Sequence, residues 1–96
     1  MATLDDIRAK RDAIKEIANR HGARNVRLFG SVVRGDDRPD SDLDVLVEFE
    51  KGRSLMDLAG FELALEELLG RRVDVVSDGG ISPYLEKYIL AEATSL

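Results

Sequence analysis

Apolar residues recur at helical spacing over the first twenty positions of the chain. Leu4, Ile7, Ile14, Ile17 and Ala18 share one face of a helix predicted over residues 3–21, with Arg11 interrupting the stripe. Thr3 followed by Asp6 resembles a capping arrangement, and Gly22 is a C-terminal stop. The period then drops to two. Residues 25–29 (NVRLF) read as a short strand ending in Gly30-Ser31, and residues 42–50 (DLDVLVEFE) as the clearest strand of the chain. There Leu43, Val45, Val47 and Phe49 fall on one face, and Asp42, Asp44 and Glu48 on the other. The intervening stretch is rich in Gly, Asp, Arg and Pro, and its 37–40 portion reads as a loop. Helical spacing returns at Ser54 and Asp57 and runs to Leu69, with Leu55, Leu58, Phe61, Leu65 and Leu68 as its apolar stripe and Gly70 as its stop. Residues 72–76 (RVDVV) form a third strand with Asp74 facing opposite Val73 and Val75. Ser82-Pro83 opens a last helix, with proline in the first turn where its missing N–H costs nothing.

This order implies an α/β sandwich of the α+β kind, a small three-stranded mixed sheet with helices packed on one side. One sheet face is left for polar chemistry. The 96 residues are expected to form a single domain, 1–96, small enough that a partner chain or ligand contributes to its stability. Charge removes one class of function. With 14 Lys+Arg against 19 Asp+Glu the net charge is −5, so binding to nucleic acid through its phosphate backbone is not expected. The absence of cysteine removes disulfides, thiolate nucleophiles and Cys-based zinc sites. No apolar run is long enough to span a membrane, and the acidic start is unlike a signal peptide, so a cytoplasmic location is expected.

The chemistry is concentrated between Leu28 and Val47, LFGSVVRGDDRPDSDLDVLV. Gly30-Ser31 leaves a strand and enters a turn or short helix, where free backbone N–H groups can hold phosphate oxygens. Glycine permits close approach of a ligand, and the Ser31 hydroxyl can donate. Arg34, one turn later, brings a guanidinium to the same phosphates. Alone, a Gly-Ser after a strand is usually just a turn. The second device is Asp42-Leu43-Asp44. Residues i and i+2 of a strand point the same way, so two like charges share one sheet face and call for a cation. Hard oxygen donors around phosphates suit Mg²⁺, and Asp74 on a neighbouring strand offers a third carboxylate. Alone, such a pair is more often a solvated strand face.

Together, Gly30-Ser31, ten residues, then Asp42-x-Asp44 make the pattern Gly-Ser-x10-Asp-x-Asp. This resembles the signature of the polymerase-β-like nucleotidyltransferase superfamily, and the short chain looks like its minimal nucleotidyltransferase (MNT) group. The resemblance implies the nucleotidyltransferase fold over nearly the whole chain. It also implies that Gly30, Ser31 and Arg34 bind the phosphates of an NTP, and that Asp42, Asp44 and Asp74 are catalytic and hold two Mg²⁺ ions. In-line attack of a hydroxyl on the α-phosphorus would then release pyrophosphate. One departure stands out: many minimal members carry a basic residue directly after the serine, where this chain has Val32.

Other polar residues have simpler explanations. His21 ends a helix, where capping is the ordinary role. Asp36, Asp37 and Asp40 read as solvated turn residues, Asp57 as a capping residue and Asp78 as part of a Ser-Asp-Gly-Gly turn. Glu62, Glu66 and Glu67 are expected on the solvent face of the long helix, and Tyr84 and Tyr88 packed on the core with exposed hydroxyls. As for the biological role, small MNT proteins are commonly the antitoxin half of a two-gene module whose toxin is a helical HEPN ribonuclease. The resemblance implies transfer of AMP from ATP to a tyrosine hydroxyl of such a toxin, in a hetero-oligomer with it. Two alternatives are an antitoxin that acts by binding alone, and an enzyme acting on a small molecule or nucleic-acid end.

Overall fold

The computed structural model describes residues 4–36, 38 and 41–96. The predicted first helix is two: α1 (Leu4–Ala9) and α2 (Arg11–Arg20), separated at Lys10, whose φ −102° and ψ 14° leave the helical path. A continuous helix would carry Arg11 on the same stripe as Ile7 and Ile14. The break leaves Arg11 exposed while Ile7 and Ile14 are both buried. Thr3, the expected cap, lies outside the described residues, as do Asp37, Pro39 and Asp40 of the predicted loop.

The strand β1 (Ala23–Phe29) begins two residues earlier than its alternation suggests. It holds a bulge between Arg24 and Arg27, with Asn25 at φ 52°. One extra residue there lets Arg24 pair with Glu48 and Arg27 with Leu46, so both arginines fall on one sheet face despite their odd spacing. The helix α3 (Ser31–Arg34) follows, then β2 (Leu43–Phe49), α4 (Leu55–Leu69), β3 (Val73–Ser77) and a 3₁₀ turn at Asp78–Gly80. The last elements are α5 (Pro83–Glu92) and a fourth strand, β4 (Thr94–Ser95), too short to leave a period in the sequence. The sheet order is β3-β2-β1-β4, with β2 parallel to β3 and antiparallel to β1, and β4 antiparallel to β1.

One face of this sheet carries the core. Leu43, Val45 and Val47 of β2, Val73 and Val75 of β3 and Leu28 of β1 pack with Ile7, Ile14 and Ala18 of the first two helices and Phe61 and Leu65 of α4. The helix α4 starts on a complete capping box, Ser54 with Asp57, and ends at Gly70 in the left-handed conformation. Leu55 departs from the predicted stripe: it is exposed and borders an open cavity of about 540 Å³ with Arg53 and Ser54.

Glu62 and Glu66 are also not the solvated residues their spacing suggests. The Glu66 carboxylate accepts from the Val73 N–H at 3.0 Å and that of Glu62 from the Val75 N–H at 3.1 Å. Their i,i+4 spacing on α4 matches the two-residue step of outward N–H groups along β3, an edge strand. Two outward N–H groups of the edge are thereby satisfied, which opposes pairing with another strand.

The other sheet face is not wholly polar. Leu46, between Asp44 and Glu48, is fully buried and pairs with Arg27 and Val76. The helix α5 differs from the other helices in contributing no buried residue. Tyr84 is 87% and Tyr88 65% exposed, against the expectation that they pack on the core.

Candidate active site

Gly30 joins β1 to α3. Its φ of 81° and ψ of −153° lie in a region that only glycine occupies readily. Space demands glycine as well: a Cβ placed there would come within 2.1 Å of the Asp44 Oδ2. The two devices read separately in the sequence are therefore in contact, the Gly-Ser turn lying against the second aspartate of the pair. Ser31 is the first residue of α3, and Arg34 ends it with an exposed side chain. Val32, where a basic residue is common in the family pattern, is buried in the core.

Asp44 is half-buried, and its register partners are Phe29 on β1 and Asp74 on β3. Burial, then the charges of Asp74 and Asp42, push its carboxyl up from 3.8 to about 6, with Arg34 opposing and Glu92 adding to the rise. Asp74 is exposed beside it. Asp42 precedes β2 and stands 3.3 Å from the Arg72 Nε. Among the described residues no three His, Cys, Asp or Glu side chains converge closely enough to hold one ion. The donor chemistry nevertheless fits a hard cation: the groups are carboxylates, and burial together with the charges of Asp74 and Asp42 raises the Asp44 carboxyl more than Arg34 lowers it.

A residue that the sequence does not point to completes the picture. The Glu92 carboxylate, at the end of α5, accepts from the Gly30 N–H and from the Arg34 Nη1 at 2.9 and 3.1 Å. It holds the Arg34 guanidinium above its ordinary pKa, first by hydrogen bonding and then by its charge. Glu92 is far from both partners in sequence, so no local motif announces it. Gly30, Arg34, Asp44, Tyr88 and Glu92 line a shallow cavity of about 340 Å³. The larger cavity, around Arg24, Glu48 and Arg53, contains none of the six sequence-predicted site residues.

The rival residues are accounted for elsewhere. Asp57 completes the capping box, and the Ser54 backbone N–H holds its carboxyl below the usual range. Asp78 accepts from the Arg27 Nη2 at 2.8 and 3.0 Å. Asp36 lies 3.5 Å from the Arg34 Nε. His21 is the C-cap of α2, and its ring packs 6.3 Å from that of Phe61.

Comparison with known proteins places the fold in a family. The family model for the nucleotidyltransferase domain matches residues 10–96. The protein adenylyltransferase MntA of Thermococcus cleftensis is 42% identical over 93 residues, which cover 96% of this chain and 94% of that protein. A candidate protein adenylyltransferase of Methanocaldococcus jannaschii is 40% identical over 93 residues, covering 97% of both. A solved structure of a candidate minimal nucleotidyltransferase superposes with a TM-score of 0.88 at 54% identity, covering 99% of this chain and 97% of the other. A toxin–antitoxin complex with AMP-PNP contains a chain of the same fold, with a TM-score of 0.74 at 20% identity over 88% of this chain and 69% of that one.

Proposed function

The chain belongs to the nucleotidyltransferase domain family and is a nucleotidyltransferase, and from that premise we propose that it is an antitoxin that transfers AMP from ATP to a tyrosine hydroxyl of a HEPN-type toxin. The observation that carries this reading is the contact between the Gly30 turn and Asp44, with Asp74 in register beside Asp44. It sets phosphate donors against carboxylates at one end of the sheet. The Gly30 N–H, the Ser31 hydroxyl and the Arg34 guanidinium bind the triphosphate. Asp42, Asp44 and Asp74 would hold two Mg²⁺ ions, which when bound supply acidity to the acceptor hydroxyl and neutralise charge on the departing pyrophosphate. The acceptor oxygen, its proton released to solvent, bonds to the α-phosphorus as the bond from that phosphorus to the β-phosphate oxygen breaks and pyrophosphate leaves.

A tyrosine reaching Asp44 and Asp74 has to belong to an accessible segment of the partner, because the site lies at one end of the sheet, with Asp74 exposed and Asp44 half-buried. A HEPN ribonuclease is expected to be basic at its RNA-binding surface, which suits docking to a chain of charge −5. The relatives named as adenylyltransferases and the toxin–antitoxin fold match support the partner class.

The test is to incubate the protein with the HEPN-type product of the neighbouring gene, ATP and Mg²⁺, and to weigh the intact toxin. Gain of one or more AMP units, lost with Asp42→Asn/Asp44→Asn, is the expected result. A second reading, neutralisation by binding alone, is favoured by one feature: Glu92 already occupies Gly30 and Arg34. On that reading the toxin is silenced at unchanged mass, and equally well by the double variant.

A further inference from the structure

The contacts of Glu92 have the form of a bound phosphate oxygen. An anionic oxygen accepts from a strained glycine N–H and from a guanidinium, two of the three donors that the proposed function gives to the triphosphate. Two carboxylate-bearing elements thus converge on one cradle, Asp44 from β2 and Glu92 from α5, and the like charges of these groups oppose each other.

The element that carries Glu92 is built to move at small cost. No side chain of α5 is fully buried, Ile89 and Glu92 being partly so, and lifting the helix therefore gives up little buried surface of its own. Its C-terminal end is tethered independently. Immediately after Glu92 and the cap residue Ala93, Thr94 and Ser95 pair with Leu28 and Arg27, the Leu96 N–H donates to the Val26 carbonyl, and the Arg8 guanidinium donates to the Ser95 carbonyl. Ala93, at φ −58° and ψ 132°, is an extended joint between a loosely held helix and an anchored strand.

We propose that α5 is an autoinhibitory latch: without nucleotide Glu92 fills the triphosphate cradle at Gly30 and Arg34, and polyphosphate binds only by displacing it. This rests on the phosphate-binding role of those two residues. The latch lowers the apparent affinity for polyphosphate by the fraction of molecules in which it is open. It also keeps Gly30 and Arg34 satisfied in the resting protein. The opposite role, a clamp that holds Arg34 ready for phosphate, predicts changes of the opposite sign.

The experiment titrates inorganic pyrophosphate into the ¹⁵N-labelled full chain and follows the amides of Gly30 and of residues 93–96. Wild type is compared with Glu92→Ala, Glu92→Gln and, as a charge control on the same helix, Glu86→Gln. Glu92→Ala should bind pyrophosphate about ten-fold more tightly if the latch is closed nine-tenths of the time. Glu92→Gln, which keeps the acceptor and loses the charge, should lie between Glu92→Ala and wild type. Glu86→Gln should match wild type. In wild type the Gly30 amide and those of 93–96 should shift together, and in Glu92→Ala the 93–96 response should vanish. Equal or weaker binding by both Glu92 variants, each folded by thermal unfolding, overturns the latch; so does absence of pyrophosphate binding in every protein. The transfer reading is scored separately by toxin mass. A tighter-binding Glu92→Ala with no AMP transfer upholds the latch and removes the transferase role, and transfer with unchanged affinity does the reverse.

Discussion

Asp44 and Asp74 are register partners on adjacent parallel strands, and the charge of the second helps to hold the carboxyl of the first at a pKa of about 6. The native protein therefore binds a proton at Asp44 that the unfolded chain has already released. Between about pH 4 and pH 6 the native state holds more protons, so this residue's contribution to stability is full below the unfolded pKa and is lost as pH rises through the folded one. Asp44→Asn should remove that slope and raise the melting temperature at neutral pH. Thermal unfolding of both proteins across this range isolates the residue from other acid-titrating groups. Added Mg²⁺ should raise the wild-type melting temperature at neutral pH and leave Asp44→Asn nearly unmoved. A melting temperature lowered by Asp44→Asn would mean that the carboxylate is structurally satisfied, not poised for a cation.

Asp74 and Asp78 separate chemistry from structure. Asp74 is exposed and has no ion-pair partner among the described residues that would be lost on substitution, so Asp74→Asn should leave stability within about 0.5 kcal/mol while removing most nucleotidyl transfer. Asp78 neutralises Arg27, whose side chain is only 14% exposed. Asp78→Asn should therefore destabilise by about 1–3 kcal/mol and leave transfer per folded molecule unchanged. Urea unfolding together with toxin mass spectrometry checks both. If the two profiles are exchanged, Asp78 is the ligand and the register of β3 has been misjudged.

The carboxylates of Glu62 and Glu66 make a prediction about association. Glu62→Ala/Glu66→Ala strips the acceptors from the Val73 and Val75 N–H groups, each a charge-assisted bond of roughly 1.5 kcal/mol at this partial exposure. The double variant should unfold earlier and should also associate, because β3 then presents a free edge. Glu62→Gln/Glu66→Gln keeps an acceptor at each position and should remain close to wild type. Light scattering at matched stability, reached by adjusting temperature, distinguishes edge pairing from simple unfolding.

Sequence periodicity carried the strands and the long helix because each rests on contacts repeated every two or four residues. Asp44 and Asp74 were legible for the same reason: a carboxylate between valines and leucines marks the face opposite the core. The spacing of Gly30-Ser31 and Asp42-x-Asp44 was legible as a resemblance, and the contact of Gly30 with Asp44 gives it a physical basis. What stayed hidden depends on distant parts of the chain. The break at Lys10 is set by where Ile7 and Ile14 meet the core, and β4 exists only through its pairing with β1. Glu62 and Glu66 look like any helical surface until the edge of β3 lies beside them. Glu92 has no local signature at all, since its partners are on β1's end and α3. Tyr84 and Tyr88 look like core residues by type, yet α5 buries nothing.

Gly30 allows the contact between the two devices to be tested directly. Alanine there meets two penalties. The backbone, at φ 81° and ψ −153°, costs about 1–3 kcal/mol for a residue with a Cβ. The new Cβ also displaces the Asp44 carboxyl, which it would approach to 2.1 Å. Gly35→Ala serves as control: its φ of 83° is also positive, but a Cβ there meets nothing within 4 Å. Both variants should lose stability, whereas only Gly30→Ala should disturb Asp44 and abolish transfer. A double-mutant cycle isolates the contact. In an Asp44→Ala background the carboxyl is absent, so Gly30→Ala should be less destabilising there by at least about 0.5 kcal/mol. Gly35→Ala should cost the same in either background. Denaturant unfolding of the four proteins in each cycle measures both couplings. Equal coupling for Gly30 and Gly35 would mean that backbone strain alone fixes glycine at position 30, and the apposition of phosphate turn and carboxylate would lose its basis.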